Sequence, residues 1–156
     1  MIDVAIPGFG RLALTNLVCD FNGSLACDGR LLDDARALLP QVAHLVKVHV
    51  VTGNTFGSAE AQLRELPCTL TLLDPRHQAH AKLGIVERLG RDHVVAIGNG
   101  RNDRMMMRAA ALGIGVVGDE GAAREALDGC AIVVRDIASA LGLLLAPQRL
   151  IATLRG

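Results

Sequence analysis

Residues 17–29 of the chain read LVCDFNGSLACDG, and they contain the most informative pattern in the sequence. The apolar run from Leu17 to Cys19 has the length of a buried strand, and it ends on a carboxylate, Asp20, which turn-forming residues follow. In open α/β sheets, ligands bind beside the carboxyl ends of the strands, where loops and helix N-termini present N–H groups to anions. Asp20 is therefore a candidate functional residue. The alternative is that Asp20 only caps the turn after a strand.

The composition of the chain limits the class of protein. A length of 156 residues suits a single domain, and 51% apolar with only 2% aromatic residues predicts an aliphatic core typical of parallel strands covered by helices. Equal numbers of basic and acidic residues, 16 of each, together with the scarcity of aromatic side chains, argue against nucleic acid as a partner. Since no apolar stretch has spanning length and the amino terminus lacks a signal-peptide pattern, we expect a cytoplasmic protein with no membrane partner.

Cysteine and histidine residues do not form a recognisable zinc or disulfide pattern. The cysteines include no CxxC pair, and most lie in or beside apolar runs, which predicts buried, reduced thiols at Cys19, Cys27, Cys68 and Cys130. His77 and His80 could share one face of a helix, but no further ligand stands at metal-binding spacing. A solvated helix face is therefore the better interpretation of this histidine pair.

Strand and helix patterns alternate along the chain. A β-hairpin is predicted at residues 2–6 and 12–14, around a glycine pair that lacks the third glycine of a dinucleotide-binding motif. Further strands are predicted at 17–19, 46–51, 69–73, 94–97, 114–117 and 131–134, and helices at 33–46, 57–66, 76–89, 102–112, 120–127, 136–145 and 149–154. This alternation with short connections predicts a three-layer α/β fold with a mostly parallel central sheet.

Polar residues follow several of the predicted strands and suit one type of chemistry. Thr52 follows the strand at 46–51, a polar loop ending in Asp103 follows the strand at 94–97, and Lys82 comes from the helix at 76–89, off its apolar stripe at positions 79, 83, 86 and 89. Phosphoryl transfer to a carboxylate needs such a set, with hydroxyl, N–H and ammonium donors for the phosphoryl oxygens and a divalent cation. Mg²⁺ prefers oxygen ligands, which the loop ending in Asp103 can supply near Asp20.

The order and spacing of these motifs resemble the haloacid dehalogenase (HAD) superfamily. DFNGSLA at Asp20 resembles its nucleophile motif, VVTGNT its Thr/Ser motif, residues 81–84 its lysine motif, and GNGRND its acidic motif. Within the superfamily, the chain is most similar to soluble proteins related to the phosphorylation domain of P-type ATPases. The resemblance implies a three-layer, Rossmann-like HAD fold over residues 1–156, with an N-terminal β-hairpin and no cap domain.

The resemblance also implies a role for each matched residue. Asp20 would be the nucleophile that forms an aspartyl-phosphate, and Thr52 and Lys82 would act on the transferred phosphoryl group and its charge. The phosphate-binding residues would be Phe21, Gly23, Thr52, Gly53 and Lys82. The Mg²⁺ ligands would be Asp20, the backbone carbonyl of Asn22, Asn99 and Asp103.

Two positions depart from the pattern of the family. Phosphatases of the superfamily generally have an aspartate at the position of Asn22, as general acid and base, and an amide cannot exchange a proton near neutral pH. P-type ATPases also lack this aspartate, and their aspartyl-phosphate persists. Asn99 stands where a metal-binding aspartate is usual, so Mg²⁺ binding should be weaker. Two hypotheses therefore stay open: a slow Mg²⁺-dependent phosphatase, or a catalytically impaired module that binds a protein partner.

The predicted elements leave no room for a cap domain over the site. An uncapped site is open to water, so the phosphorylated substrate would be macromolecular, or a neighbouring subunit of a homo-oligomer would cover a small one. The N-terminal hairpin and the C-terminal helices are candidate interfaces, the latter with Leu141, Leu143, Leu144, Leu145, Leu150, Ile151 and Leu154. The alternative is that these helices only cover the sheet.

Overall fold

The structure is a computed structural model that describes residues 1–53 and 57–156, so Asn54 and Thr55 of the predicted Thr/Ser motif lie outside the described residues. The strands are β1 (Ile2–Ile6), β2 (Gly10–Leu14), β3 (Asn16–Asp20), β4 (Ala26–Cys27), β5 (Arg30–Leu31), β6 (Lys47–Thr52), β7 (Thr69–Leu72), β8 (Val94–Gly98), β9 (Leu112–Val116) and β10 (Ile132–Val134). The helices are α1 (Asp33–Ala43), α2 (Ala59–Leu63), α3 (Gln78–Leu89), α4 (Arg104–Ala109), α5 (Arg124–Leu127), α6 (Ile137–Leu145) and α7 (Pro147–Leu154).

Six strands form the central sheet in the order β10-β9-β8-β3-β6-β7, and every pairing between neighbours is parallel. β3 lies inside the sheet, between β8 and β6, with Cys19 paired to both Ile97 and Val50. The carboxyl ends of β3, β6 and β8 therefore lie side by side at one rim. This arrangement confirms the predicted α/β fold, and it places the ends of the predicted nucleophile, Thr/Ser and acidic motifs next to each other.

The two faces of the sheet are covered by different helices, which explains why the strands are apolar on both sides. Leu17 and Cys19 of β3 belong to the core beneath α1, α2 and α6. Val18 faces the opposite way, into a core formed with α3 and α4. Each fully buried aliphatic side chain contributes about 1.5–3 kcal/mol to folding relative to an exposed one. The three layers thus follow from strands whose side chains alternate between two buried faces.

The structure corrects the sequence prediction around β9. The helix predicted at 102–112 ends at Ala109, and Gly113, the residue directly after the predicted helix, lies within β9. A Cβ atom on Gly113 would lie 2.6 Å from the carbonyl oxygen of Met107, and one on Gly115 would lie 2.8 Å from Leu127 Cδ2. The two glycines therefore allow the helical layer to pack closely on β9. A helix-ending glycine and a close-packing glycine look alike in sequence.

Three further local predictions need correction. A short hairpin, β4–β5, follows Asp20 and was not predicted, and the helix predicted at 120–127 is reduced to α5 because a turn closes between Gly118 and Gly121. The helix predicted at 33–46 ends at Ala43, and Leu32 is its N-cap, with Asp33 and Asp34 in its first turn. Asp136 is the N-cap of α6, and the hydrogen bond from Ser139 lowers the pKa of its carboxyl.

The cysteines are less buried than predicted. Cys19 is fully buried, and burial raises the pKa of its thiol, but Cys27, Cys68 and Cys130 are only partly buried. The four are free thiols. Cys27 lies in the β4–β5 hairpin, which is too short to be covered on both sides, so its position beside an apolar run did not indicate burial.

The apolar C-terminal helices pack inside the chain. Leu141, Leu144 and Leu150 are fully buried, α6 packs against α1, and α7 packs against β1 of the separate β1–β2 hairpin. This confirms that these helices cover the core, while homo-oligomerisation stays a prediction. In the described ranges, no single helix is long and apolar enough to cross a membrane; α6 and α7 reach that length only together, and they are bent by 103°.

Candidate active site

Asp20 ends β3 at the rim of the sheet and is 6% exposed. The strand buries its carboxylate because both neighbouring strands continue alongside it. The chain then turns sharply, with the N–H groups of Ser24 and Ala26 donating to the carbonyl oxygen of Phe21 at 3.4 and 2.9 Å. This turn brings the residues after Asp20 back over the rim. The nucleophile predicted from the sequence is thus a buried carboxylate at the rim of the sheet, followed by a tight turn.

Lys82 is the most informative side chain of the site, because it is fully buried between two carboxylates. Its Nζ lies 2.6 Å from Asp20 Oδ1 and 2.6 Å from Asp103 Oδ1. The prediction that Lys82 lies off the buried stripe of its helix is wrong: the buried face of α3 consists of Ala79, Lys82, Ile85 and Val86. Lysine is almost never fully buried unless it is paired. The two carboxylates provide that pairing, so a charged residue occupies a position that looks solvent-exposed in sequence.

Asp103 is held rigidly by the turn that follows β8. Its Oδ2 accepts hydrogen bonds from the backbone N–H groups of Asn99 and Gly100, at 3.1 and 2.8 Å, and its Oδ1 faces Lys82. A Cβ atom on Gly98 would lie 2.6 Å from the carboxylate, so only glycine fits there. The turn therefore positions Asp103 for a role in binding charge, and its glycine is needed for space.

Burial and neighbouring charges shift the pKa of Asp20 and the pKa of Lys82. Burial and the charge of Asp103 raise the pKa of Asp20 to about 7, although Lys82 opposes this shift. Burial acts to lower the pKa of Lys82, but Asp20 and Asp103 outweigh it, and the pKa is raised. The ammonium therefore stays charged at neutral pH. With both carboxylates ionised, the buried group has an excess of negative charge.

The metal-free protein is expected to lose stability as the pH rises from about 4 to about 7. In this range folded Asp20 keeps a proton that the unfolded chain, with a pKa of 3.8, has released. The free energy of unfolding should therefore fall with rising pH, by at most about 1.4 kcal/mol per pH unit. Urea unfolding of the wild type and of Asp20→Asn in EDTA measures the effect. Asp34→Asn, an exposed carboxyl, is the matched control and should follow the wild type, whereas a wild-type curve parallel to that of Asp20→Asn would contradict the expectation.

Four more of the predicted residues form two contacts, Asn22 with Thr52 and Gly23 with Asn99. Asn22 Nδ2 is 3.5 Å from Thr52 Oγ1, which joins the ends of β3 and β6. Gly23, with a φ of +79°, lies against Asn99: a Cβ atom on Gly23 would be 2.2 Å from Asn99 Nδ2. Asn99 Nδ2 donates to the carbonyl oxygen of Gly121 at 3.0 Å. Glycine at 23 is thus required both by the left-handed backbone and by the packing of the two loops.

The site fits a magnesium ion. Two carboxylates, Asp20 and Asp103, face a single ammonium, and a divalent cation would offset their excess negative charge. Asn99 Oδ1 and Asn22 Oδ1 are buried and have no hydrogen-bond partner among the described residues. Unpaired buried oxygens beside carboxylates are the ligand type that Mg²⁺ prefers. Asn99 therefore keeps a usable oxygen ligand despite the loss of the usual charge.

Sequence reasoning missed Gln78, the first residue of α3. Its Oε1 accepts a hydrogen bond from Asn102 Nδ2 at 2.8 Å, so Asn102 faces α3 instead of the metal ligands. Its Nε2 would lie 2.4 Å from a Cβ atom on Gly53. Gly53 therefore borders Gln78. The only signal in the sequence was that Gln78 lies four residues before Lys82, on the same face of a helix.

His77 and His80, which the sequence placed on a solvated helix face, are both exposed.

Solved structures share this architecture. With a TM-score of 0.72 over 90% of both chains, the structure is similar to 3-deoxy-D-manno-octulosonate 8-phosphate phosphatase of Moraxella catarrhalis, at 14% identity. It is also similar to a protein of Legionella pneumophila described as a HAD superfamily hydrolase, with a TM-score of 0.61 and 17% identity over 90% of this chain and 87% of the other. The chain has the fold of haloacid dehalogenase (HAD) hydrolases. No family model matches the sequence.

Two curated proteins are similar to the chain in sequence. It is 48% identical over 79 residues to an uncharacterized protein of Methanocaldococcus jannaschii, a match that covers 48% of this chain and 85% of that protein, so the two belong to one family. It is 30% identical over 141 residues to a probable copper-exporting P-type ATPase of Archaeoglobus fulgidus. That match covers 86% of this chain but only 17% of the ATPase.

Proposed function

We propose that this protein is a Mg²⁺-dependent phosphohydrolase that acts through an aspartyl-phosphate on Asp20 and turns over slowly. The single observation that carries the proposal is the buried contact of Lys82 with both Asp20 and Asp103, at 2.6 Å each. Burying these three charged side chains costs free energy, so such a cluster is expected where it has a function. The phosphatase of M. catarrhalis, whose structure contains a magnesium ion and a phosphate ion, supports the same assignment by similarity of fold.

Each half-reaction can be written for residues of this chain. In the first, a carboxylate oxygen of Asp20 attacks phosphorus, the bond from phosphorus to the ester oxygen breaks, and the leaving group departs with that electron pair. In the second, water attacks the phosphorus of phospho-Asp20, the acyl-phosphate bond breaks, inorganic phosphate is released, a proton of the water passes to solvent, and the Asp20 carboxylate is regenerated. Both steps transfer the same phosphoryl group, so they need the same charge stabilisation.

Two side chains and a bound metal ion would supply that stabilisation. Lys82 neutralises the carboxylate before attack and the phospho-Asp20 region afterwards, and the hydroxyl of Thr52 can donate to a phosphoryl oxygen at the end of β6. Mg²⁺ would be held by Asp20, Asp103, Asn99 and the backbone carbonyl of Asn22, and when bound it supplies positive charge that offsets the charge of nucleophile and phosphate.

The reaction lacks a general acid and base, because Asn22 stands at the position where one would transfer protons. A carboxamide neither donates a proton to a departing alkoxide nor accepts one from the attacking water. The first step is then fast only for esters whose leaving group needs no proton, and the second step is slow for all esters. The phosphorylated enzyme should therefore accumulate during turnover of an aryl phosphate.

Rapid-mixing kinetics with 4-nitrophenyl phosphate and Mg²⁺ tests the proposal. We expect a burst of close to one nitrophenolate per chain, followed by slow turnover, and a hydroxylamine-sensitive phosphate on the peptide that contains Asp20. Asp20→Asn should show neither burst nor label. Turnover without a burst and without label on Asp20 would contradict the covalent route.

A second candidate function rests on the two uncharged positions, Asn22 and Asn99. An impaired module that binds a protein partner would show no label on Asp20 and no calorimetric binding of millimolar Mg²⁺, and it would co-purify with a partner. The physiological substrate, small or macromolecular, and a subunit that covers the site are open within the first proposal. Copper export is a property of the full-length ATPase, and neither candidate function includes it.

A further inference from the structure

We infer that the substrate carries a second anionic group, a phosphate or a carboxylate, which binds in a basic groove beside the phosphoryl site. This inference rests on the proposed function. The groove has a volume of about 460 Å³ and runs between the start of α3 and the turn before α4. Its basic side chains are His77, His80, Arg101 and Arg104, and no carboxylate lines it within the described part of the chain.

The groove adjoins the active site directly. Gln78 and Asn102 both line it, and the hydrogen bond between them forms its inner wall. Gln78 also lies against Gly53, which follows Thr52, and Asn102 precedes Asp103. When the phosphoryl group of a substrate binds between Thr52 and Asp103, the rest of the substrate can therefore extend into the groove.

The charges of the groove are only weakly compensated by nearby acids. Arg101 Nε is 3.1 Å from Glu125, an exposed ion pair that uses one of the five N–H donors of the guanidinium. Asp74, the acidic residue nearest to His77 in sequence, accepts from the backbone N–H of Arg76 at 2.8 Å. Arg104 Nη1 donates to the carbonyl oxygen of Arg101 at 2.7 Å, which holds the two arginines together.

The cleft on the opposite side of the site has different properties. It lies between the β4–β5 hairpin and the start of α6, and it has a volume of about 110 Å³. Its lining includes three carboxylates, Asp119, Glu120 and Asp136, and a single arginine. The acidic cleft repels an anion and is a quarter of the size, so the basic groove is the place for a second anionic group. Arginine forks bind phosphate and carboxylate with two parallel hydrogen bonds.

Non-hydrolysable phosphonates test the groove separately from catalysis. Calorimetry in Mg²⁺ compares alkane bisphosphonates with spacers of three to six carbons against the monophosphonates of equal length. We expect at least one bisphosphonate to bind tenfold or more tightly than its monophosphonate. The double variant Arg101→Gln/Arg104→Gln should lose this preference, and Arg101→Lys/Arg104→Lys should keep part of it because the charge remains.

Arg36→Gln is the matched control, since Arg36 is an exposed arginine on α1 in the other helical layer. It should keep the full preference for bisphosphonates. The inference is overturned if mono- and bisphosphonates bind equally, if neither binds, or if the preference survives in the Arg101→Gln/Arg104→Gln variant. Phosphonates are not hydrolysed, so calorimetry does not depend on the proposed reaction. A preference for bisphosphonates in calorimetry, together with no label on Asp20 in the rapid-mixing experiment, would refute the proposed reaction but not the inference about the groove.

Discussion

Replacing Asn22 by aspartate is expected to raise the steady-state hydrolysis of alkyl phosphates by about 10²- to 10⁴-fold, the usual contribution of a positioned general acid and base. Asn22 lies over the end of β3, with its Nδ2 3.5 Å from Thr52 Oγ1, so an aspartate there would lie next to the phosphoryl group. It could protonate the departing alkoxide and then deprotonate the water that attacks phospho-Asp20. Both proton transfers are missing in the wild-type chain.

The leaving group makes this prediction specific. Nitrophenolate departs without a proton, so Asn22→Asp should speed up only the second step for 4-nitrophenyl phosphate, and the burst should disappear. For a sugar phosphate both steps gain, and kcat/KM should rise more than it does for the aryl ester. Release of inorganic phosphate from matched aryl and alkyl esters, measured at saturating Mg²⁺, gives the comparison.

Asn99→Asp is the matched control, because it makes the same chemical change at the position of a metal ligand. It should lower the Mg²⁺ concentration needed for half-maximal activity, and it should not favour alkyl over aryl esters. If Asn22→Asp raised both esters equally in kcat/KM, or neither, the assigned role of position 22 would be wrong.

Replacing Lys82 by methionine is expected to destabilise the metal-free protein by about 3–5 kcal/mol at pH 8, since it leaves buried charge without its partner. Nζ of Lys82 lies 2.6 Å from a carboxylate oxygen of Asp20 and of Asp103, and both carboxylates are buried. Without the ammonium, the two negative charges repel each other in a medium that solvates them poorly. Urea unfolding in EDTA measures the loss.

Two further variants show whether charge is the cause. Adding Asp20→Asn to Lys82→Met removes one of the two unpaired charges, so the double variant should recover part of the lost stability. Lys47→Met replaces the other lysine of the chain, which is exposed at the start of β6, and should change stability by less than about 0.5 kcal/mol. Equal losses for Lys82→Met and the double variant would indicate a packing effect instead.

Local pattern alone was sufficient for the order of the main elements. The strands of the central sheet begin and end within two residues of their predicted bounds, because aliphatic runs of strand length bounded by turn residues have few other uses in a chain of this composition. Four helices, those predicted at 33–46, 57–66, 102–112 and 120–127, extend three or four residues too far at one end. At the last two, Gly113 packs against the backbone of Met107 and Gly121 accepts a hydrogen bond from Asn99, and local pattern does not contain such tertiary contacts.

The sequence by itself determined the α/β fold and which residues are candidates for phosphoryl transfer, since each motif has a fixed spacing from the end of its strand. Only the tertiary structure decided how these candidates contact one another. It buried Lys82 on a helix face that looked solvent-exposed, brought Gly23 against Asn99, and joined Gln78 to Asn102 beside a basic groove. The physical reason is that a buried charge is stable only beside its partners, and those partners are 62 and 21 residues away along the chain.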